Sequence, residues 1–348
     1  MTTNWNRKDQ HIHFAEMQYQ SNSSNGLDQV RFVHQSFAEM KTSDVNLQTS
    51  LGSLNLDYPF FINAMTGGSD KAKIINQNLA SIAKETNLAM AVGSVSAAIK
   101  SPELADSFKI VRQVNPKGII ISNLGAHHQL DNAKRAVDML EANAIQLHVN
   151  TPQELVMPEG DRDFNGWLAN IEDIVNHIDV PVIVKEVGFG MSKESIQQLL
   201  DIGVSIIDVS GRGGTNFIHI ENERRDLKEF DYLLNWGQTT AESLLEAHFY
   251  RKQADFIASG GIKHPLHILA AFGLGAKAVG LSGELLHLVL TKGNDTTIKT
   301  IESWKQELVA LMTMIGAKRI TDVERKPLVL SPELSHWCHE RHINFKHQ

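Results

Sequence analysis

Short apolar runs alternate along this chain with longer stretches whose apolar residues recur at helical spacing, the pattern of βα units around a parallel sheet. Eight runs read as strands, at 59–63, 88–93, 118–122, 144–149, 181–187, 204–209, 255–259 and 276–281. Amphipathic segments such as 71–87, 132–143, 192–203 and 238–251 lie between them, and several close on Asn or Gly as helix stops. Eight such units predict an α/β fold, a closed (β/α)8 TIM barrel forming one domain over 1–348. A doubly wound sheet would also alternate, but its Gly-x-Gly-x-x-Gly turn after the first strand is missing.

Two regions stand outside this rhythm. Residues 1–58 form an extension ahead of the first strand, and its Asn- and Ser-rich stretch 21–26 reads as a mobile loop. Residues 210–237 follow the sixth strand and are too long for a plain βα turn, which predicts a functional lid or a partly disordered segment.

The chemistry begins where strands end. Ser210-Gly211-Arg212-Gly213-Gly214-Thr215, Ser259-Gly260-Gly261-Ile262 and Ser282-Gly283 follow the last three strands. Glycine lets backbone N–H groups approach an anion closely, and a helix that follows turns its positive end to the same point. Three such loops at successive strand ends predict a phosphate-binding rim. On the fourth strand Gln146, His148 and Asn150 alternate with apolar neighbours and so share one face, and Gln153 and Glu154 follow in the loop. By residue type alone His148 is open between a satisfied core histidine and a ligand, and Glu154 between a helix cap and a ligand. Lys185, emerging from a buried run beside Glu186, predicts an anion facing it, because an unpaired buried ammonium is costly.

Composition narrows the partners. At 42% hydrophobic and 21% charged residues the 348-residue chain is an ordinary globular sequence, and its net charge of −7 argues against nucleic acid or an anionic membrane surface. A single cysteine, Cys338, rules out an intrachain disulfide framework. With no signal-peptide pattern at the N-terminus and no apolar stretch of spanning length, the expected location is the cytoplasm.

Several motifs, in one order along most of the chain, resemble the type 2 isopentenyl diphosphate isomerases. They are Arg7-Lys8-Asp9-Gln10-His11, Asn63-Ala64-Met65-Thr66-Gly67-Gly68, Val92-Gly93-Ser94, and Ser122-Asn123-Leu124-Gly125-Ala126. Gln146-Leu147-His148-Val149-Asn150 with Gln153-Glu154, Val184-Lys185-Glu186-Val187-Gly188 and the glycine loops complete the set. One departure lies after Gly93-Ser94, where the family often carries Gln and Arg and this chain has Val95 and Ser96. That leaves part of the diphosphate contact open.

The resemblance implies interconversion of isopentenyl and dimethylallyl diphosphate, a step in isoprenoid precursor synthesis, with FMN kept reduced by NADPH and with Mg2+. It places Met65, Thr66, Gly67, Ser94, Asn123, Lys185, Ser210 and Thr215 against FMN, with Gly260, Gly261, Ile262, Ser282 and Gly283 around its phosphate. Arg7, Lys8, His11, Ser94, Ser96, His148, Asn150 and Gln153 would face the substrate, the 1–58 extension contributing the first three, and Glu154 would bind the metal. Mg2+ needs only one or two carboxylates beside substrate phosphates, which suits a single Glu154. By residue type Arg7 and Lys8 alone would read as a solvated terminal pair. No side chain has the acid strength to protonate an alkene, so the reduced flavin is the expected proton donor and acceptor, with Gln153 as the catalytic residue that positions substrate. A homo-oligomer, tetramer or octamer, is the expected assembly.

Two alternatives stay open on the residues: an FMN barrel that oxidises a hydroxy acid or nucleotide, and a phosphate-binding barrel without catalysis. Cys338 lies in the tail, which excludes a thiol version of the first. In that tail His336, His339 and His342 recur every third residue and would share a helical face, as surface, subunit-contact or metal-binding residues.

Overall fold

The computed structural model describes residues 7–19 and 24–345. Its centre is a closed barrel of eight parallel strands: β1 (Phe60–Ile62), β2 (Met90–Ala91), β3 (Ile120–Gly125), β4 (Ala144–His148), β5 (Val182–Lys185), β6 (Ile206–Asp208), β7 (Asp255–Ser259) and β8 (Ala278–Leu281). Each lies within one of the eight apolar runs or overlaps it, and β8 closes on β1 through Val279 opposite Phe60. The helix rule holds as well. Asp70–Thr86 starts at Ser69, whose side chain accepts from the Ala72 N–H, and stops at Asn87 in the left-handed region, φ 53°.

Period-two alternation sorts the strand residues into layers inside the barrel. The lower layer is apolar, with Phe61, Ala91, Ile121, Ala144, Ile183, Ile206, Ile257 and Ala278 in one cluster with Leu51, Leu54 and Leu56. Those leucines belong to a hairpin, Thr49–Leu51 with Leu54–Leu56, that stoppers the barrel floor. Two residues further along most strands the layer turns polar: Asn63, Asn123, Gln146, Lys185, Asp208 and Ser259 are all buried. Gly280 completes this layer, and a Cβ there would lie 2.4 Å from Asn63 Nδ2. The site therefore rests on a polar floor above an apolar plug.

The described part of the extension is folded. Helix Arg7–Met17 packs against Asp70–Thr86, Phe217–Glu223 and Gly283–Met314. Strand Val30–Phe32 pairs antiparallel with Leu328–Leu330 and ties the two ends of the chain together. Of the stretch expected to be mobile, 21–23 lie outside the described residues, whereas Asn25 is fully buried. Its Oδ1 accepts from the Leu27 N–H at 2.8 Å and its Nδ2 donates to Gly261 O at 2.6 Å.

The long connection after β6 is folded. It folds into helix Phe217–Glu223, started by Asn216, and buries Ile218 against Val156 and Phe189. The tail corrects a second expectation. His336 and His339 lie on helix Pro332–Glu340, but the helix stops there, Arg341 turns to Glu246 and Glu194, and His342 is at φ 55°, off the shared face.

Candidate functional site

The carboxyl ends of the strands open into one cavity of about 800 Å3. At one end its wall is backbone. The loops after β6, β7 and β8 bring Ser210, Thr215, Gly260, Gly261, Ile262, Ser282 and Gly283 to the lining. They touch one another so closely that side chains are excluded: a Cβ on Gly214 would lie 2.7 Å from Gly261 N, and one on Gly260 would lie 2.0 Å from Gly211 O. Gly260 and Gly261 hold φ of 103° and 72°, which only glycine adopts without strain. Behind them Asn25 Nδ2 also meets His267 Nδ1 at 3.2 Å. That nitrogen therefore accepts, so His267 carries its proton on Nε2, 2.9 Å from Asp28 Oδ1. The Asp28, His264 and His267 cluster thus works as a buttress for the glycine loop.

Helix Gly283–Met314 begins at this rim, and its first turns hold the end of the N-terminal helical segment. The Tyr19 hydroxyl donates to Glu284 Oε2 at 2.5 Å, its ring stacks on His287 at 3.8 Å, and His287 Nδ1 meets Glu16 Oε1 at 2.6 Å. Lys263 Nζ lies over the Tyr19 ring at 5.1 Å and is a buried atom with no hydrogen-bond partner among the described residues.

The opposite wall is made of side chains. Arg7, Lys8 and His11 reach the lining from the N-terminal helix, and the Arg7 guanidinium lies 3.7 Å from Met157 Sδ. Burial and the neighbouring Arg7 charge lower the Lys8 ammonium to about 8, against the pull of Glu221 and Glu154. His11 Nε2 lies 3.0 Å from Glu221 Oε1, and burial outweighs that partner to hold His11 below its ordinary value. Glu221 is the hub of this wall. It is fully buried, accepts from Gln153 Nε2 at 3.0 Å and from Arg224 Nη1 at 2.5 Å, and burial is outweighed so that its carboxyl falls to about 2.

Asn150 leaves the strand face expected for it. The strand ends at His148, and Asn150 precedes helix Thr151–Val156, where its amide donates to Gln153 Oε1 at 3.3 Å and Glu154 Oε1 at 2.8 Å. Gln153 thus has both ends of its amide held. Glu154 Oε2 accepts from the Asp161 N–H at 3.0 Å, and the carboxylate stays at the cavity wall.

Between the two walls lie Met65, Thr66, Ser94, Ser96, Asn123, His148 and Lys185. Gly67 does not line the cavity, because a Cβ there would run into the Phe108 ring at 1.8 Å. Ser96 Oγ lies 2.9 Å from both Ser94 Oγ and His128 Nε2, while Lys100 from the same short helix reaches the lining. Lys185 Nζ donates to Glu186 O at 2.6 Å, and Glu186 Oε2 accepts from the N–H groups of Val187, Gly188 and Phe189. Burial nevertheless raises the Glu186 carboxyl to about 7, the three N–H groups and Lys185 opposing it.

Sequence reasoning missed Glu221, Lys100, His127, Arg212 and Lys263. Arg212 and Lys263 stood within or beside the glycine loops and were legible as cations flanking a phosphate rim. Locally Glu221 shows an ordinary i,i+3 pair with Arg224, whereas His11 and Gln153 reach it from distant segments.

Comparison with known proteins follows this geometry. The family model described as FMN-dependent dehydrogenase matches residues 158–330, the stretch that carries Lys185 and all three glycine loops. An isopentenyl-diphosphate delta-isomerase of Latilactobacillus sakei subsp. sakei (strain 23K) is 48% identical over 338 residues, covering 97% of each protein. The protein of that name from Staphylococcus epidermidis (strain ATCC 12228 / FDA PCI 1200) is 49% identical over 342 residues, covering 98% of each. Among solved structures, the flavin-binding domain of baker's yeast flavocytochrome b2 has a TM-score of 0.66 at 18% identity, covering 94% of this chain and 80% of that one. Mandelate oxidase with (S)-2-phenylpropionate has a TM-score of 0.62 at 16% identity, covering 92% and 90%. These structures share the fold.

Proposed function

The chain belongs to the isopentenyl-diphosphate delta-isomerase family, and from that premise we propose that it interconverts isopentenyl and dimethylallyl diphosphate using FMN and Mg2+. The observation that carries the reading is a single cavity with two separate anion-seeking ends, a backbone rim at one and a cationic wall beside a carboxylate at the other.

The residues present fit FMN. Lys263 Nζ is an orphaned buried ammonium beside a glycine cradle that a Cβ would fill, which is the setting a phosphate satisfies. Ser210, Thr215, Gly260, Gly261, Ile262, Ser282 and Gly283 would hold that phosphate and its tether. Met65, Thr66, Ser94, Asn123 and Lys185 would face the ring, with Lys185 favouring a negatively charged reduced form. When bound and reduced, the flavin would supply exchangeable protons next to the hydrocarbon end of the substrate. The residues also fit Mg2+, since Glu154 offers a hard oxygen ligand to an ion that shares its remaining positions with phosphate and water.

The side chains then have separable tasks. Arg7 and Lys8 give charge-assisted hydrogen bonds to the diphosphate, each worth about 1.5 to 3 kcal/mol. Asn150 and Glu221 hold the Gln153 amide, which positions the hydrocarbon end of the substrate. The N-terminal helix lies over the cavity and keeps water from it. NADPH as the reductant, a homo-oligomeric state of four or eight chains, and a cytoplasmic location extend the same reading. The location is supported by the lone Cys338 and by the finding that no helix among the described residues is long and apolar enough to cross a membrane.

The deciding experiment incubates the purified protein anaerobically with FMN, NADPH, Mg2+ and isopentenyl diphosphate, with a 2-hydroxy acid as control. Formation of dimethylallyl diphosphate without net NADPH consumption is expected. Flavin reduction by the hydroxy acid, with no isomerisation, would move the protein to the dehydrogenase chemistry of its structural neighbours.

A further inference from the structure

The polar floor of the barrel is a directed chain of hydrogen bonds. At one end Asp208 on β6 accepts three of them: from Ser259 Oγ at 2.7 Å, from the Ser210 N–H at 3.1 Å and from Asn63 Nδ2 at 2.9 Å. Burial raises the Asp208 carboxyl, opposed by Lys185 and by the three donors aimed at it; the Ala64 N–H, which can only donate, sets the Asn63 oxygen away from Asp208 and so turns its nitrogen toward it. That oxygen accepts from the Ala64 N–H at 2.9 Å and also from Gln146 Nε2 at 2.9 Å. Gln146 Oε1 is then left to accept from Asn123 Nδ2 at 3.3 Å, and Asn123 Oδ1 lies 2.7 Å from His148 Nδ1. An oxygen facing that ring nitrogen requires a proton on it.

We infer that the relay Asp208–Asn63–Gln146–Asn123 holds His148 as its Nδ1–H tautomer, so that Nε2 faces the cavity as an acceptor, and that a diphosphate oxygen meets it only after Nε2 takes a proton from solvent. The four relay residues are positioning residues; His148 is the group that touches the ligand. At Gly125 a Cβ would lie 2.6 Å from His127 Cε1, so the glycine makes room for the His127 ring beside His148. The groups that face His148 favour a neutral ring before ligand arrives. Burial is the largest influence, followed by Lys185 on β5, Lys8 on the N-terminal helix, and His127 and His128 in the loop after β3, and all lower it. An arriving dianion reverses that balance, and the proton adds to Nε2 with no bond broken in the ligand. The tautomer is independent of what the cavity binds; the proton uptake rests on the diphosphate reading above.

The test is nitrogen-15 NMR of histidine side chains in the FMN-loaded protein, with the His148 signals identified by their loss in His148→Gln. Free protein at neutral pH should give a protonated Nδ1 and a bare Nε2, and saturation with Mg2+ and inorganic pyrophosphate should convert both to imidazolium nitrogens. A proton on Nε2 in the free protein overturns the relay. An unchanged ring at pyrophosphate saturation, verified by calorimetry, overturns the uptake alone, whereas absence of pyrophosphate binding sinks the diphosphate reading and the uptake with it. Asn123→Leu removes the oxygen that faces Nδ1 and should release the ring toward the Nε2–H tautomer. Asn123→Asp puts a carboxylate at Nδ1 and should raise the His148 pKa by about one unit or more, so either variant tests the relay if the other fails to load flavin. No tautomer shift in the first and no rise in the second would refute it.

Discussion

The two ends of the cavity are built by different means. The rim after β6, β7 and β8 uses backbone, packed so tightly that Gly214 and Gly261 all but touch. The opposite wall uses long side chains from the N-terminal helix, the β4 loop and helix Phe217–Glu223, held together through Glu221. A backbone site is complete once the barrel closes and pays little entropy on binding; a side-chain site must gather parts from distant segments and depends on each of them. The contrast predicts all-or-none behaviour at the rim and graded behaviour at the wall.

Gly260→Ala is the severest way to break it. The new Cβ would sit 2.0 Å from Gly211 O at a φ of 103°, so the rim must open and the protein should be purified with little or no flavin. Full flavin content in its visible spectrum would show that the rim tolerates displacement. Glu154→Gln should follow, with isomerase activity and its Mg2+ response lost by about a hundredfold or more while flavin content stays at the wild-type level. An unchanged Mg2+ titration would remove Glu154 from the metal. Arg7→Ala should weaken substrate binding about tenfold, the worth of one charge-assisted bond of ~1.5 kcal/mol, without altering flavin affinity. Equal affinity for substrate in the variant and the parent would assign Arg7 to the solvent.

Stability against pH sharpens the comparison most gently. Glu221 has a folded value near 2 against an ordinary 4.5, so it contributes stability above about pH 4.5 that is lost as pH falls toward 2. Glu186, next to Lys185, has the opposite sign: its value is raised to about 7, so its contribution is full below 4.5 and is lost as pH rises through 7. Melting temperatures should therefore lose their acid fall-off in part in Glu221→Gln and their fall-off above neutrality in part in Glu186→Gln. Parallel pH profiles for parent and variants would contradict the assignment.

The same contrast explains what was legible in the sequence. All eight barrel strands were readable because each is an apolar run with turn residues at its ends, and the rim was readable because its glycines are contiguous. Asn150 was misplaced because strand alternation was carried past the end of β4, where the chain turns into a helix. Glu221 looked like any charge in a polar connection with an arginine at i+3, since His11 and Gln153 reach it from distant segments. His342 failed for the same reason as Asn150, the period being extended beyond the helix that supports it. The polar floor was present as alternate strand residues, but the order of its hydrogen bonds depends on which strands are neighbours in the closed barrel.

The docking of Tyr19 on the first turns of helix Gly283–Met314 has a kinetic consequence. The helix that covers the mouth is fastened to the same element that forms the floor of the rim, and Lys263 sits between them. A cofactor seated at that rim would depart when the fastenings of the cover let go, Tyr19 from Glu284 and His287 among them and His11 from Glu221. Its residence time would then follow the opening rate of that cover, and a protein that binds its cofactor no more tightly than an open barrel would still exchange it more slowly.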